Sequence, residues 1–232
     1  EVRNGLAVTP WQAGDDTAEP LVFFGDLIGY VYAVNAKTGE LVWRDRPDGH
    51  PSSTITGAAS LFDNVLYVPV SSLEVIPAFD PDYECCTFRG SVVAYDALTG
   101  DRLWQAFTTD MPMPSGVTAS GTTRMTPSGA PVWNSPTIDK QREQIVFGTG
   151  ENYTSPATAT SDAIMAVNIK TGAVNWVYQA TADDAWNTAC VKGGHRAHPT
   201  AEAAISGPNC PIENGPDVDF GAGSMLVTTK SG

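Results

Sequence analysis

Positive charge is scarce in this sequence. Thirteen Lys and Arg residues stand against 26 Asp and Glu residues in a chain of 232, so the formal net charge is −13 at neutral pH. An acidic field of this size repels nucleic acids and anionic lipid surfaces, and it argues against both as partners. No apolar run approaches the roughly 18 residues of a membrane span, and no basic start with an apolar core marks a secretory signal. The composition fits a protein kept apart from its neighbours by charge, or one that faces a basic partner.

Common nucleotide, zinc-protease and serine-hydrolase signatures are missing too. The chain has no GxGxxG, no P-loop, no HExxH and no GxSxG pattern. Their absence argues against an enzyme that uses nicotinamide or nucleotide. No segment of useful length has the spacing of an amphipathic helix, so strands should dominate the fold.

Cysteine is rare, with four copies at Cys85, Cys86, Cys190 and Cys210. An even number without a CxxC pair or Cys/His spacing favours disulfides over zinc, and disulfides imply an oxidising compartment such as a periplasm or the exterior. Adjacent α-carbons lie only about 3.8 Å apart, below the roughly 4.4–6.8 Å of ordinary disulfides. The residues alone therefore leave three alternatives for Cys85 and Cys86: a strained bond between them, free thiols, or separate pairing with Cys190 and Cys210. A Cys190–Cys210 bond would staple the loop between those two residues.

A thirteen-residue pattern occurs three times, as Val31–Trp43, Val92–Trp104 and Ile164–Trp176. Its shared core is Ala-x-Asn/Asp-x-x-Thr-Gly-x-x-x-Trp. Each copy predicts a strand, a tight turn and a second strand, because β-branched and aromatic residues flank an Asn/Asp and Thr-Gly turn. Another apolar stretch precedes each copy, so each unit has about four strands, the content of one propeller blade. We expect the repeated tryptophans to pack against the next blade rather than to bind a ligand.

The repeat resembles the tryptophan-docking motif of the quinoprotein alcohol dehydrogenases, which depend on pyrroloquinoline quinone (PQQ), and it is most similar to their polyvinyl-alcohol dehydrogenase branch. The resemblance spans essentially the whole chain. It implies an all-β fold, an eight-bladed β-propeller of which about half is present. Residues 1–232 would then be part of a single propeller domain, about four blades, incomplete at both ends.

The resemblance assigns roles to the Thr54–Ala58 and Tyr67–Glu74 stretches. Glu74 falls where the family has a ligand of the Ca²⁺ beneath PQQ, and Thr56 and Ser71 fall on PQQ-contacting positions. Without the family, Glu74 would be interpreted as an exposed loop residue. Calcium prefers hard oxygen ligands, which a carboxylate supplies.

The Tyr83–Val92 stretch resembles the polyvinyl-alcohol branch and implies a disulfide between Cys85 and Cys86 against PQQ. The methanol-type enzymes carry their cysteine pair one blade earlier, near a stretch that resembles Val2–Ala7 here. Arg3 is therefore one candidate for binding a PQQ carboxylate, and Arg89 is a second, because the guanidinium fork binds carboxylates bidentately.

Two further stretches complete the implied site. Trp133 matches the family's floor under the planar quinone, and Glu151 and Asn152 are alternative metal ligands after Gly148-Thr-Gly150. Asp219, in Asp217-Val-Asp-Phe-Gly221, matches the catalytic aspartate and a metal ligand, which leaves Asp217 a supporting or solvent-facing role. Lanthanide-using relatives carry an additional Asp where this chain has Gly221, so calcium is the expected metal.

These residues predict PQQ- and Ca²⁺-dependent oxidation of a small or polymeric alcohol, possible substrates being polyvinyl alcohol or other secondary alcohols. Hydride would pass to the quinone and electrons to a cytochrome c, in a periplasmic or secreted enzyme that includes the rest of the propeller. Two alternatives stay open: a non-catalytic propeller scaffold like the outer-membrane assembly proteins that share the repeat, and a PQQ-dependent sugar or aldose dehydrogenase.

Overall fold

Antiparallel sheets make up most of the computed structural model, which describes residues 1–10, 15–190 and 207–229. In the described residues the first sheet has the order β1-β2-β3-β4 and the last has the order β12-β13-β14-β15. The middle sheet is built on β7, β8 and β9, with both β5 and β6 pairing with β7, and a β10–β11 hairpin stands apart. The strands are Ala7–Val8 (β1), Leu21–Gly25 (β2), Val31–Asn35 (β3), Leu41–Asp45 (β4), Ser53–Thr54 (β5), Ser60–Phe62 (β6), Val65–Ser72 (β7), Ser91–Asp96 (β8), Arg102–Phe107 (β9), Met113–Val117 (β10), Thr123–Thr126 (β11), Thr137–Asp139 (β12), Gln144–Gly148 (β13), Ala163–Asn168 (β14) and Val174–Gln179 (β15).

Helix is confined, in the same residues, to two short 3₁₀ turns at Pro77–Phe79 and Thr188–Cys190. Neither of them has the length or apolarity needed to cross a membrane. The prediction of an all-β propeller fold is confirmed, and each sequence repeat forms the third and fourth strands of one blade-like sheet.

The turn of each repeat owes its shape to the Asn or Asp that precedes Thr-Gly. In the first copy Asn35 Oδ1 accepts hydrogen bonds from the backbone N–H groups of Lys37 and Thr38, at 2.8 and 3.1 Å. Gly39 then adopts a φ of +75°, a conformation that glycine tolerates without a steric cost. Asp96 and Asn168 cap the other two turns in the same way.

Two of the three repeated tryptophans, Trp43 and Trp104, join neighbouring blades, as predicted. Trp43 Nε1 donates to the Ala97 carbonyl at 2.9 Å, and a β-carbon at Gly100 would lie 2.7 Å from the Trp43 ring. Trp104 repeats the contact one blade later, donating to the Ile169 carbonyl at 3.3 Å. The glycines of the second and third turns, Gly100 and Gly172, therefore serve both the turn and the indole of the preceding blade.

Two apolar clusters fill the spaces between adjacent sheets. One is built around Phe23, Leu66, Phe88 and Tyr95, and the other around Ile145, Phe147 and Met165. Because each cluster draws side chains from two sheets, the blades form one continuous packed arc.

The pairing of the four cysteines decides between the alternatives left open by the sequence. Cys190 bonds Cys210, with α-carbons 4.8 Å apart, and Cys85 bonds its neighbour Cys86. Free thiols and cross-pairing between the two sets are therefore wrong for all four cysteines.

Candidate metal and cofactor site

Three carboxylates converge beyond the end of β13. Oxygen atoms of Glu151, Asp217 and Asp219 all lie within 4.8 Å of one another. Glu151 is buried, Asp217 is half-buried and Asp219 is exposed, so the group runs from the protein interior to the surface. We call these three residues the carboxylate group.

The Gly148-Thr-Gly150 stretch lets the segment that carries Asp219 approach β13. A β-carbon at Gly150 would collide with the Asp219 carboxylate, and one at Gly148 would collide with the Phe220 side chain. The Phe220 N–H donates to the Thr149 carbonyl at 3.3 Å. The two glycines therefore serve close approach of the backbone, which explains their place beside the site.

Asn134 fastens the same segment from the other side. Its Nδ2 donates to the Gly148 and Phe220 carbonyls, at 2.8 and 2.6 Å, and its Oδ1 accepts from the Gly148 N–H at 3.2 Å. One buried amide thus joins β13 to the chain around Asp219. Asn134 was not singled out from the sequence, because its partner lies 86 positions away.

Burial and mutual repulsion together set the electrostatics of the carboxylate group. Burial, followed by the neighbouring charges of Asp219 and Asp217, raises the pKa of Glu151 well above its ordinary value. Carboxylates held this close are stabilised by a proton or by a cation. Three hard oxygen donors are the ligand type that Ca²⁺ prefers.

Trp133 lies next to the carboxylate group and keeps part of its ring exposed. Its Nε1 donates to Asp219 Oδ1 at 3.2 Å, and 37% of the residue is accessible. A β-carbon at Gly221 would collide with the indole, so only glycine fits at that position. An accessible indole beside three carboxylates is suited to a flat, polar-edged ligand.

A second carboxyl pair lies behind the group and was missed by sequence reasoning. Asp184 is fully buried, and its Oδ1 and Oδ2 accept the backbone N–H groups of Asp217 and Val218, at 3.2 and 3.0 Å. Burial and the adjacent Asp184 raise the pKa of Asp162 to about 9, so its carboxyl keeps its proton at neutral pH. In sequence, Asp184 follows another aspartate and resembles a solvated loop, so no local signal reveals it.

Glu74 is not part of the carboxylate group. Its Oε1 accepts hydrogen bonds from Tyr83 Oη at 2.9 Å and the Thr87 N–H at 2.8 Å, and its Oε2 accepts from the Phe88 N–H at 2.8 Å. His50 Nε2 lies 3.1 Å from Oε1, and because His50 Nδ1 accepts the Ser52 N–H, the Nε2 atom carries the hydrogen. Glu74 therefore anchors the loop after the cysteine pair, and its role as a metal ligand stays a prediction.

The Cys85–Cys86 disulfide presents almost no accessible surface. The two residues are 2% and 0% exposed and belong to the apolar cluster that also holds Phe88 and Tyr153. Asn187 Nδ2 lies 3.8 Å from Cys85 Sγ, and the same amide donates to the Tyr153 carbonyl at 2.9 Å. Contact of this disulfide with PQQ stays a prediction, since its own chain covers it.

The other sequence candidates are dispersed. Arg3 pairs with Glu1 at the surface, and Arg89 lies 3.5 Å above the Phe107 ring in a cavity of about 520 Å³ between the second and third sheets. Ser71 is buried on β7 opposite Thr54, and Thr56 is half-buried just beyond β5. Their contacts with PQQ stay predictions.

Asn152 has both ends of its side-chain amide hydrogen bonded to the protein. Nδ2 donates to the Ser128 carbonyl at 2.9 Å, and Oδ1 accepts from the Thr158 N–H and hydroxyl. Of the two alternative metal ligands after Gly150, the structure brings Glu151 into the carboxylate group. It also brings in Asp217, to which the sequence assigned only a supporting or solvent-facing role.

Two family models of known proteins match overlapping parts of this chain. Residues 72–191 match the model of the glucose/ethanol/alcohol dehydrogenase β-propeller domain that bears the name PQQ. Residues 8–120 match that of the outer membrane protein assembly factor BamB. The dehydrogenase model includes Trp133 and Glu151, whereas the BamB match ends before both.

Curated relatives include two polyvinylalcohol dehydrogenases. The chain is 37% identical to one from Sphingopyxis sp. (strain 113P3), over 93% of this chain and 32% of the relative, and 34% identical to one from Pseudomonas sp., over 99% and 34%. The quinohemoprotein alcohol dehydrogenase of Comamonas testosteroni has a similar structure, with a TM-score of 0.55 and 26% identity over 72% of this chain and 27% of that one. The chain thus spans about a third of the length of these curated relatives.

Proposed function

This chain belongs to the PQQ-dependent alcohol dehydrogenase β-propeller family, and on that premise we propose that it supplies the metal-binding and proton-accepting part of an enzyme that oxidises alcohols. The observation that carries the proposal is the carboxylate group, in which exposed Asp219 lies beside the accessible indole of Trp133. A group of this kind combines a cation site with a base that substrate can reach.

Calcium is the metal that these donors fit. Glu151, Asp217 and Asp219 would hold it, and its charge would offset the burial and the repulsion that raise the pKa of Glu151. Gly221 supports calcium over a lanthanide, because the Trp133 ring leaves no space there for the side chain of a further aspartate.

Asp219 is the proposed general base. Its exposed carboxylate would accept the hydroxyl proton of the alcohol, while the Trp133 N–H holds Oδ1 in place. When bound, PQQ supplies the hydride acceptor and Ca²⁺ the Lewis acid that polarises its quinone oxygen. The accessible face of Trp133 would position that planar group next to Asp219.

The proposed substrates are secondary alcohols, including polyvinyl alcohol. Similarity to the two polyvinylalcohol dehydrogenases supports this class. A cytochrome c is the proposed electron acceptor on the family resemblance alone. The two disulfides support a periplasmic or secreted location.

The scaffold alternative rests on the BamB match over residues 8–120. That match covers the first two repeats and leaves out Trp133 and the whole carboxylate group, whereas the dehydrogenase match includes Trp133 and Glu151 and ends before Asp217 and Asp219. A scaffold propeller needs its blades, but it has no need of clustered carboxylates that could hold a cation. The dehydrogenase proposal therefore accounts for more of the chain. A sugar or aldose dehydrogenase would be separated from it by the preferred substrate.

The test is the absorbance of the full-length protein reconstituted with PQQ and Ca²⁺, followed with and without alcohol. We expect a quinone band that bleaches with alcohol and returns with an artificial electron acceptor. Asp219→Asn should keep the quinone band and lower kcat at least about 100-fold, because it removes the general base.

Asp217→Asn is the matched comparison, since it removes the same charge from the same group without removing the base. It should retain much more of kcat than Asp219→Asn does. A reconstituted protein that binds no quinone would reject the proposal, and full turnover by Asp219→Asn would reject the role of that residue.

A further inference from the structure

Asp184 lies directly behind the segment that carries two of the three clustered carboxylates. It is 0% exposed and accepts two consecutive backbone N–H groups, one on each oxygen, from Asp217 and Val218. A fully buried carboxylate is costly unless such donors compensate it, so this contact must form together with the fold around it.

The chain passes close over Asp184 on its way to Asp217. Gly215 donates its N–H to the Ala185 carbonyl at 3.0 Å, and a β-carbon on Gly215 would collide with the Asp184 carboxylate. Asp217 itself has a φ of 61°, a left-handed conformation that few residues other than glycine, asparagine and aspartate adopt. The bond from its N–H to Asp184 holds it in that conformation.

Asp184 is also tied to the strand side of the site. Its own carbonyl accepts hydrogen bonds from the Ser161 hydroxyl and the Asn152 N–H, at 2.5 and 3.2 Å, and Asn152 directly follows Glu151. On the far side, the Asp162 carboxyl lies close enough to Asp184 for that residue to raise its pKa. One residue therefore connects the backbone beside Glu151 with the backbone of Asp217 and Val218.

We propose that Asp184 is a positioning residue, which fixes residues 215–219 so that the carboxylates of Asp217 and Asp219 face Glu151. The proposal rests on the proposed function in assigning calcium to the carboxylate group. Asp184 would touch neither metal nor substrate, and it would act only through the backbone of the segment.

The test compares Asp184→Asn with Asp183→Asn in the full-length protein. Asparagine keeps the shape of Asp184 but replaces one accepting oxygen with an amide that cannot accept. Asp183 is exposed, lies next to Asp184 and has a φ of 60°, which asparagine tolerates well, so its variant changes the same charge without touching the segment.

Two measurements decide the outcome. Hydrogen–deuterium exchange without metal should show faster exchange at the amides of Asp217 and Val218 in Asp184→Asn and unchanged exchange in Asp183→Asn. Titration with Ca²⁺ alone should show affinity lowered about 10–100-fold in Asp184→Asn only, the range typical for groups that orient metal ligands. In the reconstituted enzyme kcat should fall more than KM rises.

Unchanged exchange in Asp184→Asn would overturn the proposal, and so would faster exchange with unchanged calcium affinity. If Asp184→Asn does not fold, Gly215→Ala approaches the same contact from the segment side and should reproduce both effects; its failure to do so would count equally against the proposal. A wild-type protein that binds no calcium would instead defeat the proposed function, while the exchange result would still decide whether Asp184 holds the segment.

Discussion

Two buried glutamates that the sequence predicts to bind the same metal lie in opposite surroundings. Glu74 is 0% exposed and Glu151 is 5% exposed, so burial does not distinguish them. Burial acts to raise the pKa of Glu74, but hydrogen bonds from His50, Thr87 and Phe88 outweigh it and lower the pKa below its ordinary value. Burial also raises the pKa of Glu151, and there the neighbouring Asp219 and Asp217 add to it. A carboxylate surrounded by donors is a structural anion, whereas one surrounded by carboxylates is suited to a cation.

The largest effect that would test this comparison is a loss of stability in Glu74→Gln. Either orientation of the glutamine amide turns N–H groups toward a donor, at best the Phe88 N–H and at worst His50, Tyr83 and Thr87 together. We expect the free energy of unfolding to fall by about 3 kcal/mol, because buried hydrogen bonds to a charged acceptor are lost and a donor is left unsatisfied. Urea denaturation at neutral pH measures it.

Glu84→Gln is the control, since Glu84 is exposed in the same loop and its substitution removes the same charge. It should leave the unfolding free energy nearly unchanged. Equal stability of the Glu74 and Glu84 variants would show that the donors around Glu74 contribute nothing, and the comparison would fail.

Calcium affinity should respond to the Glu151 substitution and not to the Glu74 substitution, the reverse of the effect on stability. Glu151→Gln removes a charged oxygen from the carboxylate group, and we expect it to weaken Ca²⁺ binding about 100-fold, a change of about 2.7 kcal/mol. Glu74→Gln should bind Ca²⁺ nearly as the wild type does, provided the measurement is made where the variant is folded. Calorimetric titration with Ca²⁺ gives both constants, and Glu213→Gln, an exposed neighbour of the carboxylate group in sequence, serves as the control.

The opposite result would be equally informative. A large loss of calcium affinity in Glu74→Gln would confirm the family-based prediction that Glu74 ligates the metal, and it would mean that the hydrogen bonds around it rearrange when the metal binds.

The fold could be predicted because its signals are local and repeated. Asn35, Gly39 and Trp43 lie within nine positions of each other, and each has a visible reason to be where it is: a turn cap, a left-handed residue and an indole for the next blade. Repetition in two more copies then separated this pattern from chance.

The site could be predicted only in part, because its partners are far apart in sequence. Trp133, Glu151 and Asp219 were named from family resemblance, and the structure brings them together. Asp184 and Asn134 were missed because their backbone partners lie 33 and 86 positions away, respectively. No spacing rule applies to such pairs. Glu74 shows the converse, since a strand-end motif predicts a ligand without showing that four donors already surround it.

The smallest expected effect is a difference in how the two glutamates shape stability against pH in the metal-free protein. Glu74 has a lowered pKa in the folded state, so its contribution is present above its ordinary value near 4.5 and is lost as the pH falls through the folded value. Glu151 has a raised pKa, so stability falls as the pH rises from about 4.5 toward its folded value. Asp162, whose pKa is raised to about 9, adds to that second slope.

The measurement is the free energy of unfolding between about pH 3 and 9. In Glu74→Gln this free energy should fall less steeply toward acid pH than in the wild type. The fall toward alkaline pH should become shallower in Glu151→Gln and shallower still when Asp162→Asn is added. If Glu151→Gln left the alkaline side unchanged, the carboxylate group would not be repulsive without metal, and the contrast between the two glutamates would reduce to hydrogen bonding at Glu74 alone.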